Sequence, residues 1–89
     1  MKVKPNKYYK WEWLKKNRVF VNGNNYYESR IYFILTDKQR VHELGIIENE
    51  TFYPIKIQSY TIKWFNDNFD DSMIILKEIS YEDLLVEML

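Results

Sequence analysis

Eighty-nine residues with 46% apolar and 18% aromatic side chains suffice for one domain, residues 1–89, and not for two. There is no cysteine, which excludes a disulfide framework, a thiol nucleophile and every thiolate metal site. The net charge is zero but unevenly spread: residues 1–18 hold seven basic residues against one acidic, residues 41–89 hold three against ten, and the segment between supplies the remaining +1.

The N-terminal run MKVKPNKYYKWEW carries charges where a signal peptide needs an apolar stretch, and no later stretch approaches a membrane span. A cytoplasmic protein without membrane contact is expected. Asn49-Glu50-Thr51 matches the glycosylation sequon, which without a secretion signal reads as accidental. Residues 1–6 have no periodicity and read as a frayed or extended lead-in. Tyr8 to Leu14 then alternates, with Tyr9, Trp11 and Trp13 on one face and Tyr8, Lys10, Glu12 and Leu14 on the other, the period of a half-buried strand whose Trp face points inward. Lys15-Lys16-Asn17 is a polar turn.

Arg18 to Leu35 reads as a central hairpin, with Asn22-Gly23-Asn24-Asn25 supplying residues that readily take positive φ. Its second arm is expected to be one long strand that buries Tyr27, Ser29, Ile31, Phe33 and Leu35. Neighbours in sequence being neighbours in space, the first three strands are expected to form a meander. Thr36-Asp37-Lys38-Gln39 resembles a capping box and Gly45 suits a helix end, so a short helix is expected over Asp37 to Leu44; a strand from Arg40 is the alternative. Ile46 to Ser59 reads as a loop followed by the strand Ile55-Lys56-Ile57-Gln58, with Pro54 at its start or on a sheet edge. The alternation continues from Tyr60 to Phe65 as a strand, against a helix capped by Ser59 and running toward Phe69. Asn66-Asp67-Asn68 and Phe69-Asp70-Asp71-Ser72 mark turns. Met73 to Ile79, strongly apolar, reads as an internal strand. Ser80-Tyr81-Glu82-Asp83 is the clearest helix start, with Ser80 as cap and acids at the positive end of the dipole. The helix should run to the C-terminus and lay Tyr81, Leu84, Leu85 and Met88 across the Trp-bearing face.

The fold class that follows is α+β: a twisted antiparallel sheet of about five strands with the C-terminal helix packed on one face. Tyr8, Lys10, Tyr26, Glu28, Arg30 and Tyr32 would share the other face, a candidate protein-contact surface because Tyr and Arg are enriched at energetically important interface positions.

The chemistry-bearing patterns are few. Lys7 to Lys16 interleaves basic and aromatic residues, as in platforms that track phosphates and stack bases, but alternation puts the Trp rings opposite Lys10. Asp67, Asp70 and Asp71 fall on an EF-hand spacing only in part: Phe69 and Ser72 stand where a ligand and a tight-turn glycine are required. These acids read as a negative patch for a basic protein partner. His42 is the only histidine, so no His pair ligates a metal, and it reads as structural. Two glycines are too few for a P-loop or a dinucleotide fingerprint.

No motif rises above a small α+β domain, and no cofactor, metal or catalytic set is expected. The chain has no alanine, and Lys, Asn, Ile and Tyr make up 36 of its 89 residues, a bias toward A/T-rich codons that suggests a low-GC bacterium, phage or mobile element. A non-enzymatic protein-binding module is the leading expectation, such as an inhibitor that occupies a partner's functional surface. The alternative is a small single-stranded nucleic-acid-binding domain that uses the basic-aromatic N-terminal segment. Homo-oligomers could form through the opposite charges or an open sheet edge.

Overall fold

The computed structural model describes residues 2–15, 18–27, 29–55 and 59–89. Its strands are β1 (Tyr8–Trp13), β2 (Arg18–Val21), β3 (Asn24–Tyr27), β4 (Arg30–Thr36), β5 (Arg40–Glu48), β6 (Thr51–Pro54), β7 (Ser59–Thr61) and β8 (Ile74–Ile79). Its helices are α1 (Ile62–Asn68) and α2 (Tyr81–Glu87). Six strands make one antiparallel sheet in the order β6-β5-β4-β1-β8, with β7 also paired to β5, while β2 and β3 form a separate ladder. The fold class is therefore α+β, as the patterning implies.

The expected central hairpin is divided. Asn22 and Gly23 have φ of 51° and 78°, the type I′ pair whose twist matches two-residue hairpins, and Val21 faces Asn24 across it. The second arm ends at Tyr27, and β4 pairs with β1 and β5 instead. No meander of the first three strands forms: β2–β3 is an insertion between two strands of the main sheet. The lead-in is held rather than frayed, since Val3 is buried and its N–H donates to Asn66 Oδ1 at 3.0 Å.

The expected helix over Asp37 to Leu44 is strand β5, the alternative reading from Arg40. Thr36 caps nothing; it is a buried strand residue, and one turn with Val41 and Leu44 as its apolar face buries too little to offset helix nucleation. Gly45 ends no helix either. A Cβ there would meet the Phe52 ring and lie 2.7 Å from Tyr53 O, so glycine lets Phe52 close over β5 and reach Phe33, ring centroids 6.1 Å apart. Asn49 and Glu50, both at positive φ, turn β5 into β6, where a loop was expected. Of the expected strand Ile55 to Gln58, positions 56–58 lie outside the described residues. The strand expected from Tyr60 to Phe65 stops at Thr61, and the helix read as the alternative follows as α1, capped by Thr61 and not by Ser59: the Thr61 side chain accepts from Trp64 N.

Each face of the sheet carries a helix and a cluster. On face A, Tyr9, Trp11, Ile34, Val41, Ile74 and Leu76 of the sheet pack together with Phe65 of α1, and Tyr32 stacks on Trp11 at 4.2 Å. On face B, Phe33, Ile79 and Leu84 form a smaller cluster with Tyr8 and Ile31. Fully burying one such side chain contributes about 1.5–3 kcal/mol. The C-terminal helix was expected on the Trp face; it packs on face B, because β1 alternation points Tyr8 to Tyr81, 5.6 Å away, and Lys10 to Glu87. The Trp face is taken by α1.

Candidate interaction surface

The six residues expected on one exposed face do not share it. Tyr8 and Lys10 lie on face B beside α2, with Lys10 Nζ 3.4 Å from Glu87 Oε1. Tyr32 lies on face A against Trp11. Arg30 begins β4 with its Nε 3.2 Å from Glu48 Oε2. Tyr26 stands opposite Val19 in the β2–β3 ladder, and Glu28 lies outside the described residues. The pattern is lost because the long second arm is two strands in different sheets.

Helix α2, seven residues long, covers only one end of face B. Along β1 and β8 the same face carries an open groove of about 270 Å³ lined by Lys10, Trp11, Glu12, Ile31, Ile75 and Lys77. Ile75 is 47% exposed. Lys10 and Lys77 are direct neighbours across the β1–β8 ladder, a like-charge pair moderated by Glu87. A second, more polar depression of about 230 Å³ runs between β8 and α2, with Asp83 and Val86 on its helical side. Ile31, Ile75, Lys77 and Glu87 are not singled out by the sequence; placing them on one surface required the topology.

The acidic residues gather around the outer strand. Asp67 closes α1 and bonds to Lys63, whose ammonium holds the carboxyl below the usual range. Asp70 and Asp71 form the turn into β8. Ser72 donates to Asp70 Oδ1 from its hydroxyl and its N–H, which also lowers that carboxyl. Beyond β8, Glu82 and Asp83 occupy the exposed first turn of α2. Part of the sequence's charge separation is cancelled in space, since Lys7 lies 3.9 Å from Glu78 and Lys10 pairs with Glu87. β1 and β8 being adjacent strands, the basic N-terminal segment and the acidic C-terminal one meet there.

His42 has a partner that the sequence did not reveal. Its Nε2 lies 2.7 Å from Asp37 Oδ2, while Asp37 Oδ1 accepts from the N–H groups of Gln39 and Arg40. These contacts, the His42 ring foremost, draw the Asp37 carboxyl down to about 2. Ser59 stands opposite His42, yet its Oγ accepts from Arg40 Nε at 3.0 Å. The arrangement locks the β4–β5 turn to β7. Among the described residues there is no cluster of metal-ligating side chains, and no helix is long and apolar enough to cross a membrane. No family model, curated protein or solved structure matches the chain.

Proposed function

We propose that this chain is a non-enzymatic, cytoplasmic protein-binding module that occupies a functional surface of a basic partner protein, in the manner of a phage or mobile-element inhibitor. The observation that carries this reading is the half-open face B: a groove with Ile31 and Ile75 in its lining borders an outer strand flanked by acidic residues. Apolar contact area surrounded by charge is the anatomy of a protein interface. The A/T-rich residue usage supports the mobile-element origin and the absence of any catalytic motif in the sequence supports binding over chemistry. The Lys7 to Lys16 segment is a poor nucleic-acid platform, since Tyr9 and Trp11 are buried on face A and Lys10 is tied to Glu87 on face B.

The test is a pull-down of tagged protein from a low-GC bacterial lysate, with and without nuclease. A stoichiometric protein that survives nuclease is the expected result. Replacing Asp67, Asp70 and Asp71 with Asn should weaken its capture and flatten its salt dependence. Recovery of nucleic acid, with co-purifying proteins lost on digestion, would overturn the reading.

A further inference from the structure

We infer that β8 is a docking edge: it accepts an extended segment of a partner protein as an added strand, apolar at alternate positions and basic at its flanks. The inference rests on the protein-binding reading and gives it a mode.

Met73 to Ile79 has the composition of a strand covered on both sides, yet β8 is the last strand of the sheet. Its free groups follow from the ladder. The Leu14 N–H donates to Met73 O at 2.9 Å, so in the β1–β8 register Met73, Ile75, Lys77 and Ile79 turn their main chain toward β1, and Ile74, Leu76 and Glu78 turn theirs outward. The Ile74 N–H is taken by Asp70 O at 3.1 Å. The Ile74 carbonyl and both main-chain groups of Leu76 and Glu78 therefore point away from β1, on the side where the sheet has no further strand. The opposite edge is blunted: β6 has four residues and ends in Pro54. No proline or bulge protects the six residues of β8. A strand laid there takes up these main-chain groups, and its face-B side chains extend the groove from Ile75.

Charge selects the occupant. Asp70 and Asp71 precede β8, Glu78 lies in it, and Glu82 and Asp83 follow it; the nearby cations are Lys7, already within 3.9 Å of Glu78, Lys10, already paired with Glu87, Lys15 and Lys77. A second copy paired antiparallel about Leu76 would bring the Asp70–Asp71 turn of one chain toward Glu82 and Asp83 of the other. Basic flanks on a foreign strand meet the same acids favourably.

The probe is a labelled synthetic peptide of alternating valine and threonine flanked by lysines, with a glutamate-flanked counterpart, added to the full chain. The lysine peptide should bind, the glutamate peptide should not, and the Leu76 and Glu78 amides should gain protection from hydrogen exchange. Glu78→Pro, which removes an outward N–H, should weaken binding at least about tenfold, and Glu78→Ala by no more than about threefold. Equal affinity for Glu78→Pro, or no binding of the lysine peptide, overturns the inference. If the peptide binds and weakens on Asp70→Asn with Asp71→Asn while the Leu76 and Glu78 amides exchange as in the free protein, strand addition is wrong and acidic docking stands.

Discussion

Thr36, 1% exposed, is the one buried polar residue of the described core, and its hydroxyl explains why the site tolerates it. Oγ1 donates to Lys4 O at 2.6 Å and accepts from the Lys7 N–H at 3.0 Å, fastening the N-terminal lead-in to β4. Thr36→Val keeps the shape and strips both partners, so it should cost about 1–3 kcal/mol in urea unfolding; a change within error would mean that water replaces the hydroxyl. Asp37, next along the chain, makes stability depend on acid. Its folded carboxyl titrates near 2, below the ordinary 3.8, so the stabilisation it supplies is complete above the unfolded value and is lost as pH falls through the folded one. Unfolding midpoints measured from about pH 5 to about pH 2 should fall more steeply for the wild type than for Asp37→Asn, which keeps the Oδ1 acceptor and cannot titrate. Parallel curves would remove Asp37 from the acid response.

Among the elements, those set by contacts within one stretch were legible and those set by distant partners were not. Alternation from Tyr8 and the cap at Ser80 found β1 and α2 because each signal is local: side-chain period in one, an oxygen that accepts from Asp83 N–H in the other. Asn22-Gly23 likewise announced its turn. The β4–β5 turn misled because Asp37 offers its carboxylate to the amides two and three residues on, as a helix cap would, while the next residues extend along β4 instead. The pairing of Phe33 with Gly45 and of Ile34 with Glu43 leaves Leu44 as the extra residue of a bulge, so simple alternation fails in β5, while β4 keeps it and buries Phe33 and Ile34 on opposite faces. In the candidate site, Asp67, Asp70 and Asp71 stand out in the sequence as an acidic cluster, whereas the groove left no sequence signal: its lining comes from β1, β4 and β8, which are far apart in sequence.

At the scale of the whole molecule, the charges from which a basic partner is proposed would also oppose self-association. A six-residue edge strand without proline or bulge is a template for its own copy, and main-chain bonding through Leu76 and Glu78 is available to a symmetric pair. The ends of β8 oppose it, because an antiparallel twofold sets acidic residues of one chain against acidic residues of the other. Repulsion between exposed charges is screened over about 10 Å at 0.1 M salt and about 3 Å at 1 M, so added salt should relieve the repulsion and leave the apolar and main-chain terms in place. Sedimentation velocity at about 20 mM and about 500 mM salt should therefore show a monomer at low salt and more dimer at high salt, the reverse of association driven by opposite charges. Ile75→Lys, which places a cation on the exposed side of the edge without touching the buried face, should reduce the high-salt dimer. A dimer strongest at low salt would instead mean that the basic N-terminal segment of one chain meets the acidic end of another, and the edge would be covered, if at all, by something other than its own copy.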